Sequence, residues 1–318
     1  MKKKLVVGVD SSNYTTSLAI LTLEGELLAN LKTPLPVEAG ARGLRQSDAV
    51  FHHVRQYAPL FDNGAHYIAD GTVVAIGVST TPRRQAGSYM PCFLSGVACA
   101  HALSFGTGAP IYEFSHQCGH LMAALWSAGR TDVALAPFGA FHVSGGTTEV
   151  LRVSAEDGQG FSADIVGGTR DLHAGQVIDR IGVALGLPFP AGVALEALAE
   201  ENREKIPKRK LKAENCFVNL SGLENLTLKL RAEGASPSLC AAFVFAELAD
   251  TLRLMGEQYE ALYGRMPMVF AGGVMSNKII RRALTARFDA VFGEPEFSRD
   301  NAVGVAALAR RRYLLREN

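Results

Sequence analysis

The stretch KLVVGVDSSNYTTSLAIL, residues 4–21, decides the fold of this chain. Residues 4–10 form an apolar run that ends at Asp10, which predicts a buried strand with an acidic residue at its end. Residues 17–21 predict the next strand, the polar residues between the two runs predict a turn, and Gly25 marks the hairpin that follows. The chain therefore opens with a strand, a polar turn and a returning strand.

Strands and helices alternate in the rest of the first part. Residues 72–78 predict a buried strand, residues 95–105 a helix of small residues, and residues 109–112 a short strand. This order indicates an α/β fold.

The second part opens in the same way. Residues 133–136 and 140–144 predict apolar strands that lead into a glycine turn, and residues 148–153 predict the returning strand. Residues 268–270 predict another apolar strand that enters a second glycine turn. We therefore expect a duplicated α/β domain with a cleft between the two copies.

Composition limits the possible classes of protein. The chain has 318 residues, enough for two domains, and its net charge of +1 excludes a general attraction to nucleic acid, so any such contact is local or supplied by a partner. The five cysteines form no CxxC pair, which favours free thiols in a reducing cytosol. The apolar run at the start is too short for a signal peptide or a membrane span. We expect a cytoplasmic protein without a membrane partner.

Two histidines in HQCGH, residues 116–120, are candidate metal ligands. On a helix, His116 and His120 share one face, so both rings can point at one ion. Cys118 lies on a different face and is not counted as a ligand. The same pattern also suits two histidines at a helix start that are satisfied by caps and water, and the pair alone does not decide between the two hypotheses.

A carboxylate near the C-terminus offers a third ligand. Asp300 precedes a small-residue stretch that predicts a buried helix, so it suits the position of an N-cap. Alternatively, it joins His116 and His120 at one ion and leaves open positions for substrate oxygens.

Three turns have the composition of phosphate-binding turns. They are residues 10–16 (DSSNYTT), 144–148 (SGGTT) and 271–277 (AGGVMSN). Each alone suits an ordinary hairpin or strand–helix corner, but three of them in a duplicated α/β frame favour a nucleotide. In the first turn, Asp10 and Ser12 are the candidate catalytic residues.

Two further segments have both a structural and a functional interpretation. Residues 171–192 predict a helix that carries Asp179 and a stiff loop that ends at Gly192; this is either a helix with its terminator or a pair of residues beside a ribose. The charged residues 201–215 favour a solvated loop over a patch that faces RNA.

The ordered motifs VGVDSSNYTTSLAI, HQCGH, HVSGGTTEV, DLHAGQVIDRIGVALGLPFPAG, NLSGLENL, FAGGVMSN and SRDNA resemble the TsaD-type family of tRNA threonylcarbamoyladenosine synthases, formerly described as O-sialoglycoprotein endopeptidases. The resemblance runs from about residue 5 to residue 310. It implies a two-lobed fold of the actin, heat-shock-chaperone and sugar-kinase type (ASKHA), with duplicated RNase H-like domains. We expect lobes at residues 1–122 and 123–318, and leave open whether the last helix packs back on the first lobe.

The resemblance also implies ligands and a reaction. One ion of Fe or Zn is expected on His116, His120 and Asp300. The reaction would move threonylcarbamoyl from threonylcarbamoyl-AMP to N6 of adenosine 37 in tRNAs that read ANN codons, with partner proteins of the TsaB and TsaE type; whether the protein forms a dimer is left open. Threonylcarbamoyl-AMP, or ATP or AMP, would lie on Val143, Ser144, Gly145, Gly146, Thr147, Asp179, Gly192 and Asn277.

Several positions depart from the family pattern. They are Tyr14 and Thr15, where acidic residues are usual; Thr147, where histidine is usual; Gln176, where glutamate is usual; Glu224, where lysine is usual; and the loop with Arg83 and Arg84, which replaces a Gly-Pro-Gly loop. They keep a second hypothesis open, a non-catalytic nucleotide- or metal-binding regulatory or scaffold paralogue. A metalloprotease is the weakest hypothesis, because the glutamate base of an HExxH motif is replaced by Gln117.

Overall fold

The computed structural model of the protein describes residues 2–12, 14–36, 44–85, 87–156, 160–297 and 301–317. The chain divides into two compact units: unit 1 falls within residues 1–136, 154–163 and 296–318, and unit 2 within residues 137–153 and 164–295. The lobe boundary expected after residue 122 stays a prediction.

Unit 1 is built on a mixed sheet. Its strands pair in the order β3-β2-β1-β4-β5, with β1 antiparallel to β2 and parallel to β4. Its elements are β1 (Lys3–Ser12), β2 (Thr15–Thr22), β3 (Leu27–Pro34), α1 (Gln46–Ile68), β4 (Gly71–Thr81), α2 (Phe93–Thr107), β5 (Ile111–Ser115), α3 (His116–Ser127) and α9 (Val303–Glu317).

The two faces of this sheet are covered by different helices. Val7 and Val9 of β1 pack with Tyr57 of α1 and Ala100 of α2. Because side chains alternate along a strand, Gly8 belongs to the opposite face, where α9 packs on β1 and β4. The polar end of β1 therefore emerges between two packed layers.

Glycines bring the backbone of α9 onto the sheet. A Cβ atom at Gly8 would lie 2.3 Å from the carbonyl oxygen of Ala302, and one at Gly77 would lie 2.2 Å from that of Val305. Real side chains do not tolerate such distances, so a residue with a Cβ at either position would displace the helix.

Unit 2 surrounds a long buried helix, α7. Within the described residues, its elements are β6 (Phe138–Val143), β7 (Thr148–Glu156), β8 (Gly160–Thr169), α4 (Ala174–Ala184), α5 (Gly192–Glu200), β9 (Phe217–Val218), α6 (Ser221–Ala232), α7 (Pro237–Tyr263), β10 (Met268–Ala271), α8 (Lys278–Thr285) and β11 (Ala290–Phe292). The adjoining ends of β7 and β8, within residues 154–163, belong to unit 1.

The second sheet repeats the topology of the first. Its order is β11-β10-β6-β7-β8-β9, in which β6 is antiparallel to β7 and parallel to β10. Apart from the added strand β9, the order β8-β7-β6-β10-β11 matches β3-β2-β1-β4-β5. The predicted duplication is confirmed.

Most of the predicted elements are present, and one is wrong. The strands at residues 4–10, 17–21 and 72–78 correspond to β1, β2 and β4. Residues 133–136, predicted as a strand, lie largely in a 3-10 helix over Thr131–Leu135. Pro137 follows directly, and because proline has no N–H to donate to a sheet, β6 begins after it.

Helix length and hydropathy also bear on the membrane question. Across the described ranges, none of the helices combines the length and the apolar character that a bilayer crossing requires.

We expect Gly77→Ala to lower the free energy of unfolding by about 1–3 kcal/mol, because the added methyl group overpacks the contact with α9. Gly106 on α2 is the matched control, since no heavy atom lies within 4 Å of a Cβ placed there. Gly106→Ala should raise the free energy of unfolding by about 0.5–1 kcal/mol. Urea denaturation of both variants tests the pair, and equal effects would contradict the close contact.

Candidate functional site

A buried carboxylate lies at the end of β1. Asp10 is 0% exposed. Its Oδ1 accepts a hydrogen bond from the backbone N–H of Ser12 at 2.9 Å, and its Oδ2 accepts one from the hydroxyl of Ser79 at the end of β4. The same Oδ2 lies 2.8 Å from Nδ1 of His116. One side chain thus connects β1, β4 and α3.

The two predicted histidines open α3. The hydroxyl of Ser115 accepts from the backbone N–H of Cys118 at 3.3 Å and caps the helix, so α3 begins at His116. The ring centroids of His116 and His120 are 4.3 Å apart at an interplanar angle of 74°. The prediction that both rings lie on one helical face is confirmed.

The chemistry of these donors fits a metal ion. The hydrogen bond at Nδ1 to Asp10 leaves Nε2 as the His116 nitrogen that would bind a metal, an arrangement common at histidine ligands. Among the residues that the structure describes, no group of three or more His, Cys, Asp or Glu side chains forms a complete metal cluster. Asp300, the predicted third ligand, lies outside the described residues.

The first polar turn is largely occupied by contacts within unit 1. The hydroxyl of Ser11 donates to the carbonyl of Cys92 at 2.9 Å and accepts from the N–H of Gly96 at 3.0 Å. Ser17 donates to the carbonyl of Asp10 at 3.3 Å. In contrast, the buried hydroxyl of Ser12 has no hydrogen-bond partner among the described residues, so it is the hydroxyl of this turn best suited to a ligand.

A buried histidine near this turn was not predicted. Nδ1 of His53 lies 2.7 Å from the hydroxyl of Thr16, which donates to Oε1 of Gln56 at 2.6 Å. Nε2 of Gln56 donates to the carbonyl of Pro34, which fixes the orientation of the amide. Since Thr16 has a single proton to donate, Nδ1 of His53 is the donor in their bond, so the neutral form of the ring carries its proton on Nδ1.

Burial governs the titration of these groups. It lowers the pKa of His53 to about 4, against the opposing attraction of Asp10. Burial likewise raises the pKa of every cysteine thiol, to about 11 for Cys92, Cys99 and Cys216. The thiols are therefore protonated at neutral pH and are poor nucleophiles.

In unit 2, the glycine turn joins β6 and β7. The N–H of Ser144 donates to the carbonyl of Thr147 at 2.8 Å. Gly145 and Gly146 are exposed, and apart from their chain neighbours no heavy atom lies within 4 Å of a Cβ placed on either. Neither has a positive φ, so this turn does not use glycine for a left-handed backbone. Open access to the backbone is the property that remains.

The start of α4 packs against this turn. The N–H of Gly175 donates to the carbonyl of Ser144 at 3.2 Å. Further along α4, Oδ1 of Asp179 accepts from the N–H of Ala191 at 2.8 Å, directly before Gly192 opens α5. Asp179 lies on a helix as predicted, and it holds the start of α5.

The third turn approaches the same strand end. Gly272 has φ +99°, and a Cβ there would lie 2.3 Å from the carbonyl oxygen of Val143. Asn277 caps α8, its Oδ1 accepting from the N–H of Ile280 at 3.0 Å. Its Nδ2 is buried without a hydrogen-bond partner among the described residues, so it is a donor suited to a ligand oxygen.

These contacts link the predicted nucleotide residues along one edge of unit 2. The second and third turns meet at Val143, α4 meets the second turn at Gly175, and Glu196 of α5 accepts from the N–H of Lys278 at 2.6 Å. Their roles stay predictions. The residues concerned are Val143, Ser144, Gly145, Gly146, Thr147, Asp179, Gly192 and Asn277.

Two of the positions that depart from the family pattern have partners in unit 2. Oε1 of Gln176 accepts from the N–H of His173 at 3.0 Å, which satisfies a backbone donor at the start of α4. Glu224 forms an ion pair with Arg180 at 2.8 Å. Both substitutions are therefore accommodated in the packing around α4.

The carboxylate of Asp171 joins two of the quoted motifs. It accepts from the N–H of Leu220 at 2.7 Å and from the N–H and hydroxyl of Ser221. Burial alone would raise the pKa of Asp171, but these bonds, with others from Leu172 and Asn219, together hold it well below its usual range. The start of α6 is thereby fixed to the segment before α4.

Comparison with solved structures defines the class of protein. HypF from T. kodakarensis matches with a TM-score of 0.60 and 14% identity, over 99% of this chain and 48% of that chain. Component A of (R)-2-hydroxyglutaryl-CoA dehydratase from Acidaminococcus fermentans matches with a TM-score of 0.52 and 15% identity, over 99% and 100%. With the duplicated sheets, these likenesses define an ASKHA fold.

Sequence comparison then gives the family. The family model of TsaD, tRNA N6-adenosine threonylcarbamoyltransferase, matches residues 49–307. A tRNA N6-adenosine threonylcarbamoyltransferase from Streptococcus agalactiae is 31% identical over 334 residues, covering 100% of this chain and 95% of the relative. The chain belongs to the TsaD family of transferases, and the resemblance seen in its motifs is confirmed.

We expect the neutral state of His53 to make the stability of the protein depend on pH. Its folded pKa of about 4 lies below the ordinary value of 6.5, so the unfolded chain binds the proton more readily. This contribution is complete above pH 6.5 and is lost as the pH falls toward 4, by about 3 kcal/mol.

Urea denaturation between pH 7 and pH 4 measures this dependence. His53→Asn keeps a donor for Thr16 but removes the titration, so its stability should fall less steeply over this range. His66→Asn, at an exposed position of the same helix, should keep the wild-type slope. Equal slopes for wild type and His53→Asn would contradict the assignment.

Proposed function

We propose that this protein transfers threonylcarbamoyl from threonylcarbamoyl-AMP to N6 of adenosine 37 in tRNAs that read ANN codons. It acts in the cytoplasm with partner proteins of the TsaB and TsaE type. Family membership supports the reaction, and one local observation carries it: the buried carboxylate of Asp10 holds His116 beside His120.

A metal ion is part of this proposal. His116, His120 and Asp300 would hold one ion of Fe or Zn. When bound, such an ion polarises the substrate oxygens and stabilises the negative charge that develops on them.

Asp10 acts in this proposal as a positioning residue. Its carboxylate accepts from Ser12, Ser79 and His116, and it is fully buried, so it holds the proton of His116 at Nδ1 and fixes the ring orientation. The sequence predicts Asp10 as a catalytic residue, and in this proposal it acts through His116. Ser12 remains the candidate for direct contact, because its buried hydroxyl has no partner among the described residues.

The nucleotide is proposed to bind through unit 2. The exposed backbone of Gly145 and Gly146 can approach phosphate oxygens closely, and the Nδ2 of Asn277 supplies a donor. Asp179 has one oxygen on Ala191, and its second oxygen can accept from a ribose hydroxyl. These contacts would orient the mixed anhydride for attack.

Transfer is direct in this proposal. N6 of the acceptor adenosine forms a bond to the carbamoyl carbon, the bond from that carbon to the phosphate oxygen breaks, AMP leaves, and N6 loses a proton. No enzyme-bound acyl group is needed, which agrees with the raised pKa of all five thiols.

Incubation with threonylcarbamoyl-AMP, unmodified tRNA and partner proteins should yield threonylcarbamoyladenosine, detected by nucleoside mass spectrometry. His116→Ala should abolish the product without unfolding the protein, because its ring is one of the proposed ligands. His101→Ala, at an exposed position of α2, is the control and should keep full activity.

Failure of the wild-type protein to form product with all partners present would overturn the proposed transfer. Retained nucleotide binding in that case would favour the regulatory or scaffold hypothesis. Product formation by His116→Ala at the wild-type rate would remove the histidine pair from the mechanism.

Asp10→Asn should weaken zinc binding by about 10–100-fold, as loss of a carboxylate behind a histidine ligand does. The measurement is titration of the purified protein with zinc, with circular dichroism as the check on folding. Ser79→Ala should give a smaller loss, because it removes only the support of the carboxylate, and the exposed Asp62→Asn should give none. Unchanged affinity in Asp10→Asn would contradict the positioning role.

A further inference from the structure

A polar cavity of about 160 Å³ lies within unit 1 beside the start of α3. Thr80 and Thr81 at the end of β4, Ser115 before α3, Arg84 in the loop after β4 and Arg312 of α9 contribute to its lining. The site proposed above uses none of these side chains directly. Glu113 of β5 also lines the cavity, so two guanidinium groups, one carboxylate and several hydroxyls meet at one small cavity.

Arg312 is held in place by aromatic rings. Its guanidinium carbon lies 4.9 Å from the ring centroid of Phe114 and 6.0 Å from that of Tyr112. Its Nε is buried and has no hydrogen-bond partner within the described residues. Arg312 also forms no ion pair with any residue that the structure describes. A buried charged donor without an acceptor costs free energy, which a bound acceptor would offset.

Positive charge accumulates around this group. Arg84 lines the same cavity, and Arg316, one turn further along α9, lies over Tyr112 at 5.4 Å. Burial lowers the pKa of Arg312, and repulsion from Arg84 and Arg316 lowers it further, while Glu113 opposes them. An anion in the cavity would relieve both the repulsion and the missing hydrogen bond.

We propose that this cavity binds a phosphate group, with Arg312 and Arg84 as charged donors and the hydroxyl of Thr81 as a neutral one. Guanidinium groups match phosphate oxygens in geometry, and more than one cation suits the charge of a phosphate better than that of a carboxylate. The volume of about 160 Å³ admits a phosphate group. The source of the group is either a nucleotide or the backbone of an RNA. The proposal concerns binding and holds whether or not the protein transfers threonylcarbamoyl.

The Nε–H resonances of the arginine side chains provide a readout at this site, separate from phosphate binding in unit 2. We expect one resonance to shift saturably as inorganic phosphate is added at constant ionic strength, and to be absent in Arg312→Met. A chloride titration should leave it in place. If the resonance assigned to Arg312 does not respond to phosphate, the proposal is wrong.

The variants separate binding from general electrostatics. Measured from the shift of the Thr81 backbone amide, Arg312→Met should weaken phosphate binding by about tenfold or more, the loss expected when a hydrogen bond to a charged group is removed. Arg312→Lys keeps the charge but lacks Nε, and should bind with intermediate affinity. Arg316→Met is the matched control, since it lies on the same helix and contacts Tyr112 but does not line the cavity. An equal loss in Arg316→Met would overturn the proposal.

Two further titrations identify the source of the phosphate. Adenosine monophosphate and a short RNA without terminal phosphates are added in turn, and the Arg312 resonance is followed. A shift with the nucleotide alone assigns the cavity to a free phosphate ester, and a shift with the RNA assigns it to the backbone. Response to neither ligand, even with a response to inorganic phosphate, would overturn a role in binding either source. Thermal unfolding without ligand checks that the Arg312 variants fold.

Discussion

The hydrogen bonds of the Asp10 carboxylate are the interaction on which unit 1 depends. They join the end of β1 to its own turn, to Ser79 of β4 and to His116 of α3. A carboxylate buried without such donors would be very costly, so the three elements must be in register before the carboxylate is stable there. The hydrogen bond from His116 therefore has two roles: it stabilises the buried carboxylate of Asp10, and it orients the imidazole for the proposed metal ion.

In unit 2, the corresponding strand end carries no carboxylate. Glycine and backbone groups occupy it instead: the carbonyl of Val143 contacts Gly272, and the start of α4 packs against Ser144. The two copies of one topology therefore present different chemistry at the same position. Unit 1 offers imidazole and carboxylate groups, which suit a cation, and unit 2 offers open backbone and an amide donor, which suit an anion.

Periodicity and turn composition were sufficient to predict the fold class, the duplication and the shared face of His116 and His120, because these follow from local order in the chain. They do not predict contacts between residues that are far apart in the sequence. Asp10 and His116 are 106 residues apart, and nothing in their spacing indicates a hydrogen bond. The position of the proton on the His53 ring likewise depends on Thr16, Gln56 and Pro34, which meet only in the fold. The acid of the SRDNA motif lies outside the described residues, so the third proposed ligand rests on the sequence.

The contact of α9 with Gly8 and Gly77 has a consequence for biogenesis. The sheet of unit 1 is made from the first part of the chain, but the helix that covers one of its faces spans Val303–Glu317. A ribosome must therefore translate all of unit 2 before the partner of those glycines emerges. During that interval the nascent sheet keeps an apolar, glycine-lined face uncovered, which makes the half-made protein a natural client for chaperones that shield such surfaces.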